Sequence, residues 1–374
     1  MTTEGFRPRD QRDSYATEQL QGAALHHQAK EQLAGVVAKT KANIGQVPFS
    51  HEYHTFYQTR LNHFEGLYGK PNDSNWANPR TKADIAASVL TKGSLLYAMV
   101  QTGREAEIAE LFDANAAETR VRTLTQDAEV TGIIGENLWR PLTTVAPLRV
   151  GPIRNVLRHA FGDAALAGMD LGAGPNITAP LLNEDHMQEK DFPGKELLRE
   201  YARPVNLHLG MGVDLQDYRA DPNWARAGLY VPGPDMTVEA FDALHTKATQ
   251  QSDVFPFLAL DATKLESQSV IQNEFEKRTG RREADFVLTS FVMHQLGNET
   301  NRKKAKTLVE NTLGEGGLWL VLGEELIQEP FVTEPSLKVY KKVAGGLEYA
   351  GKPFVLNPVG RGVKSVDLDY FQRS

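Results

Sequence analysis

"GMDLGAGPNITAPLL", residues 168–182, decides how the rest of the chain is read. An apolar approach ends in an acid, two glycines follow one residue apart, and a helix-like run comes next. That order spells strand, tight turn, helix, a turn in which the backbone can come close to a nucleotide. A dinucleotide turn has a third small residue where Ile177 stands here, so that helix and strand pack closely beside a pyrophosphate. Ile is too large for that, and Pro175 removes an amide that could have faced phosphate. The turn suits a ligand needing close backbone approach, and it does not suit a pyrophosphate.

Around this turn, short apolar strands alternate with helices. "AALAGMDLG" (164–172), "NLHLGMGVDL" (206–215), "VFPFLALDA" (254–262), "ADFVLTSFVM" (284–293) and "GGLWLVLGEEL" (316–326) read as strands. "RVGPIRNVLRHAFGD" (149–163) and "NETNRKKAKTLVENTL" (298–313) read as helices. Near-continuous apolar strands separated by helices predict a doubly wound parallel sheet covered on both faces. "LKVYKKV" and "KPFVLNPV", around "AGGLEYAG", predict a C-terminal hairpin within 330–374 that completes the sheet. Residues 1–150 show helical spacing and no strand alternation, with helices expected up to about Val100, over 104–118 and over 124–138. The chain thus divides into a helical N-terminal domain, 1–150, and an α/β domain, 151–374. Two long connections, 183–204 and 216–253, fall where insertions shape binding sites.

Composition narrows the function classes. The chain has 374 residues, 41% hydrophobic and 24% charged, ordinary values for a folded protein. A formal net charge of -7 argues against a nucleic-acid scaffold, which needs clustered Lys and Arg. With no cysteine, disulfides, thiolate metal sites and a cysteine nucleophile are excluded. His51, His54 and His63 lack a matching acid, so no metal site is expected. The first residues have no apolar core of a signal peptide, and no run of 18 apolar residues spans a membrane. A cytoplasmic enzyme without membrane contact is expected.

The later strand ends add a context to the turn. "GVDL" puts Asp214 where a carboxylate can accept ribose hydroxyls, and "LDAT" puts Asp261 where one can accept from an adenine amino group. "FVLTSFVMHQL" ends a strand before His294, and "LGEGGLWLVL" is a Gly-Gly turn entering a strand. With "MDLGAGP", these five stretches in this order resemble the class I S-adenosylmethionine-dependent methyltransferases over roughly 155–330. The resemblance implies a Rossmann-like seven-stranded core with an N-terminal α-helical cap. The family often has a third glycine near Asn176, and Asn tolerates a left-handed turn.

The resemblance also implies residue roles. Asp170 would lie beneath S-adenosylmethionine and order the turn, while Gly172 and Gly174 would let the backbone meet its methionine portion. Asp214 would bind the ribose, Asp261 and the Ala262 amide would read adenine, and Ser290 would line the cofactor site. His294 is the candidate base, with Glu325 a second catalytic candidate. Tyr53, Tyr57 and Phe291 are candidates for an aromatic lid over the sulfonium. The expected partner is a small-molecule substrate, and a helical N-terminal domain also suits a homodimer. Other uses of the same core stay open: aminocarboxypropyl transfer or cyclisation in the manner of nicotianamine synthases, RNA or protein methylation, or cofactor binding without catalysis.

Overall fold

The computed structural model describes residues 94–113, 116–137, 149–184, 203–230, 236–290, 292–296, 299–323, 335–356 and 363–372. They belong to two units, Met1–Val145 with Asn223–Pro234, and Ala146–Pro222 with Asp235–Ser374.

The first unit is helical in its described part. Its helices, numbered in chain order, are α1 (Ser94–Gln101), α2 (Ala117–Gln126), α3 (Ala128–Asn137) and, from later in the chain, α6 (Asn223–Ala227). α1 buries Leu95, Leu96, Ala98 and Met99, and the chain turns away at Gly103, whose φ of 70° suits glycine. Where one helix was expected over 104–118, a 3-10 segment Glu105–Phe112 is followed by α2, which runs past the predicted end. Asp127 separates α2 from α3, and its Oδ1 accepts from the Glu129 and Val130 amides at the start of α3. Tyr97 and Trp224 meet edge to face with centroids 5.2 Å apart.

The second unit is built on one eight-stranded sheet of order β3-β2-β1-β4-β5-β6-β7-β8. β1 (Leu166–Leu171), β2 (Leu207–Asp214), β3 (Phe257–Ala259), β4 (Ala284–Ser290) and β5 (Leu313–Gly323) run parallel. β6 (Ser336–Val343), β7 (Gly346–Leu356) and β8 (Val363–Val366) continue antiparallel. The strand order reverses direction at β1, so the ends of β1 and β2 lie beside the switch point with β4, where a Rossmann-like sheet opens a crevice. The seven strands expected become eight because Val363–Val366 returns to pair with Phe354–Leu356. The third strand is shorter than predicted, since Pro256 has no N–H to give the ladder. Its neighbours still join the sheet through carbonyls: Val254 accepts from Gly210 and Pro256 from Gly212, both at 2.8 Å.

Alternation along β1 and β2 separates two faces. Ala167, Met169, Leu171, Leu209, Met211 and Val213 point into a core with Ile271 and Phe275 of α8 (Leu265–Thr279) and Leu308 and Val309 of α9 (Glu299–Thr312). The opposite face carries Gly168, Gly210 and Gly212. A Cβ on Gly210 would lie 2.6 Å from Ala179 in α5 (Thr178–Leu182), so the glycine lets α5 rest on the strand. α4 (Val150–Phe161) anchors α5 from outside: the buried Arg154 donates through Nη2 to the carbonyls of Leu181 and Glu184. α7 (Val238–Gln250) and α10 (Leu368–Gln372) complete the unit.

Gly168 lies under the buried ring of Phe286, and a Cβ there would fall 2.1 Å from the ring. Gly168→Ala should therefore cost about 1–3 kcal/mol through overpacking. Phe286→Leu in the same chain should recover part of that loss, so the pair is non-additive. Urea denaturation of the four proteins checks this, and strictly additive losses would refute the contact.

Candidate functional site

The turn between β1 and α5 is fastened to the end of β2. Gly172 and Ala173 donate to the carbonyl of Val213 at 2.7 and 3.2 Å, and the Gly174 amide donates to Asp214 Oδ2 at 2.9 Å. Three successive amides are thus directed at one strand end. Reaching them requires left-handed backbone, with φ of 83° at Gly172, 52° at Gly174 and 58° at Asn176. Asn is the side chain that tolerates such a φ best, and Asn176 adds a bond from Nδ2 to the Phe255 carbonyl at 3.2 Å.

Gly172 has a second reason to be glycine. A Cβ there would sit 1.8 Å from Cγ2 of Val292, just past β4. The close approach expected for a ligand at this position is thus filled, in part, by the protein's own valine.

Asp170, opposite Gly212 and Leu288 in the sheet, is 5% exposed. Its carboxyl bonds the Thr178 side chain, while Oδ1 has no hydrogen-bond partner. Burial pushes its pKa up to about 7, with the Thr178 bond opposing and the nearby Asp214 charge adding to the rise. The backbone amide of the turn that is bonded to a carboxylate, that of Gly174, is held by Asp214.

Asp214 ends β2 with its Oδ1 accepting from the Leu215 amide at 2.7 Å. The Gln216 amide is a third backbone donor to it, after Gly174 and Leu215. Burial still raises its pKa against these bonds. A carboxylate offers about four acceptor positions. With three taken by backbone, room remains for about one further hydrogen bond rather than a two-hydroxyl clasp.

Asp261 stands in the loop after β3. Its Oδ1 accepts from both the amide and the hydroxyl of Thr263, at 2.9 and 2.7 Å, and its carbonyl accepts from Ser267 Oγ. These bonds build the turn that starts α8, a structural task the sequence did not reveal. Ala262 is partly buried against the core cluster, and Ser290 closes β4 opposite Leu322. His294 lies in the 3-10 turn Met293–Leu296, directly after β4. Its side chain, together with Phe291, Glu325, Tyr53 and Tyr57, lies outside the described residues.

Sequence reasoning missed Gln216, whose Oε1 is buried without a partner, and Val292. Neither carries a sequence signal, since both matter through contacts made in the folded chain. Among the described residues around the ends of β1 and β2, the unpartnered buried atoms are Asp170 Oδ1, Asn176 Oδ1 and Gln216 Oε1, all acceptors. Among the described residues no Lys or Arg pairs with Asp170 or Asp214. The arrangement accepts hydrogen bonds and positive charge. It matches a cationic, donor-bearing ligand and not a phosphate.

No protein-family model matches the chain, and no curated protein matches it in sequence. Among solved structures, the chain is similar to an O-methyltransferase family protein from Burkholderia thailandensis, at 11% identity and a TM-score of 0.29, over 71% of this chain and 59% of that one. It is also similar to the MycE methyltransferase of the mycinamycin biosynthetic pathway, in complex with Mg and SAH, at 10% identity and a TM-score of 0.25, over 56% and 44%. A third is the CurJ carbon methyltransferase, at 11% identity and a TM-score of 0.29, over 84% and 78%. The chain thus spans less than two thirds of the first two structures.

The state of Asp170 has a consequence for stability. Its pKa lies near 7 in the folded chain and near 3.8 in the unfolded one, so stability is lost as pH rises from about 4 through about 7. At pH 8 the buried carboxylate opposes folding by on the order of 4 kcal/mol. Asp170→Asn should raise the melting temperature at pH 8, with the gain shrinking progressively toward pH 4. A pH-independent difference would show that the carboxyl is not the titrating group.

Proposed function

We propose that this chain is an S-adenosylmethionine-dependent methyltransferase acting on a small molecule. The observation that carries the reading is the acceptor-only, cation-free cradle at the ends of β1 and β2. Asp170, Asn176 and Asp214 lie there, with Gln216 following β2, and among the described residues no Lys or Arg compensates them. A pyrophosphate would face two carboxylates and a turn whose amides are already spent on Val213 and Asp214. A cofactor with a sulfonium, an ammonium and ribose hydroxyls supplies the donors and charge that the cradle lacks.

When bound, S-adenosylmethionine supplies a methyl group on a positively charged sulfur whose departure leaves a neutral thioether. The chain's residues then have three tasks. Asp214, with its one remaining acceptor position, takes a ribose hydroxyl, while the amides it holds keep the turn closed. Asp170 places negative charge under the methionine portion. His294, in the 3-10 turn after β4, is the candidate base for the proton of an acceptor hydroxyl or amine, with Glu325 as second candidate. Tyr53, Tyr57 and Phe291 are the candidates in this reading for shielding the sulfonium with aromatic faces.

Calorimetry with S-adenosylmethionine, S-adenosylhomocysteine and NAD tests the reading. Both adenosyl compounds should bind and NAD should not; binding of NAD alone would overturn it. Asp214→Ala should weaken adenosyl binding by ~1.5–3 kcal/mol, about 10- to 150-fold. Turnover should yield S-adenosylhomocysteine, whereas 5′-methylthioadenosine would assign transfer of the aminocarboxypropyl arm instead.

A further inference from the structure

Among the described residues, the two acids of the cradle have no Lys or Arg partner. Arg154, equally buried, has its Nη2 on the Leu181 and Glu184 carbonyls. Asp285, partly buried, pairs with Arg281 and accepts from the Ala167 amide at 2.7 Å. Among the described residues, the elements around Asp170 offer no such partner. β2 contributes the carboxylate of Asp214, α5 the hydroxyl of Thr178, and β4 the apolar register partner Leu288. α4 sends Arg154 toward the end of α5. Against Gly212, Asp170's register partner on β2, stands the unpartnered Asn176 Oδ1, 2.3 Å from where a Cβ would lie. This second orphan acceptor, 0% exposed, faces the same strand end independently of the acids.

Two carboxyls in electrostatic contact and partly removed from water are not both ionised cheaply. Without a cation, the inexpensive state keeps one proton on the pair. We infer that Asp170 and Asp214 form a proton-for-cation exchange site, holding one proton when empty and releasing it to solvent when a ligand brings positive charge and hydrogen-bond donors. The exchange is Asp–COOH plus cation giving carboxylate–cation plus a free proton, with no covalent change in the ligand. The identity of the ligand, a sulfonium nucleoside with a free ammonium, rests on the methyltransferase reading. The position of Asp170 near pH 7 puts the exchange in the neutral range. Affinity then rises up to about tenfold per pH unit below 7 and levels off above 8.

Titration calorimetry of the full chain with S-adenosylmethionine, in paired buffers of low and high ionisation enthalpy, reads the proton directly. With the carboxyl near 7, about 0.9 proton per ligand should be released at pH 6, about half at pH 7 and almost none at pH 8.5. Asp170→Asn should bind with no proton release at any of these pH values. Identical enthalpies in both buffers at pH 6, with binding intact, would overturn the exchange while leaving the methyltransferase reading standing. Failure of the wild-type chain to bind at any pH would overturn that reading, and the exchange of its ligand with it.

Discussion

The amides of Gly172, Ala173 and Gly174, all turned toward the end of β2, are the constraint on which the rest of this unit depends. They join two strands that are neighbours in space and 40 residues apart in sequence at the Gly174–Asp214 bond. Once that join is made, α5 starts at a set place over Gly210 and Gly212, and Asp170 is sealed beneath the turn. The join demands left-handed backbone at three positions, and glycine, glycine and asparagine meet that demand at low cost. Replacing any of them would strain the turn and loosen Asp214 at the same time, so fold and site fail together here.

The glycines of β1 and β2 extend the same logic into the sheet. In "GMDLG" and "GMG" methionine and leucine fall on one face, and the glycines, with Asp170, on the other. The methionines and leucines fill the face under α8 and α9, where volume is needed. The glycines line the other face, where Phe286, Ala179 and Asn176 come so close that a methyl group would collide. A face this thin brings the turn, α5 and the strand ends within hydrogen-bonding range of one another.

How much of this was legible in the sequence follows from the range of the interactions concerned. The five parallel strands could be read because burial on both faces leaves runs such as "LAGMDL" almost free of polar residues. The turn could be read because its left-handed residues are written locally as Gly-Ala-Gly-Pro-Asn. β8 was not legible: "VKSV" becomes a strand only because Phe354–Leu356 offers it an edge. Nor could local pattern show that Asp214 has three backbone donors, or that Asp261 spends Oδ1 on Thr263. Both acids end a strand in the same way on paper, and only the folded neighbours show that one holds an amide across the sheet and the other its own turn. Val292 over Gly172 is the extreme case, a contact across 120 residues that explains a glycine already noticed for another reason.

The contrast between Arg154 and Asp170 says what kind of site this is. Both charges are buried, so both would oppose folding if left alone. For Arg154 the chain supplies the carbonyls of Leu181 and Glu184, and the guanidinium becomes a clamp on α5. For Asp170 it supplies one hydroxyl, leaves Oδ1 bare, and sets a second acid nearby that makes ionisation harder still. Packing that can satisfy one buried charge could satisfy the other, for instance by a lysine in place of Thr178. The unanswered acid lowers stability as pH rises from about 4 through about 7, and in the proposed exchange the same deficit becomes attraction for a cation. In that proposal the instability of the cradle alone and its affinity for a positive, donor-bearing ligand are one electrostatic quantity seen in two states.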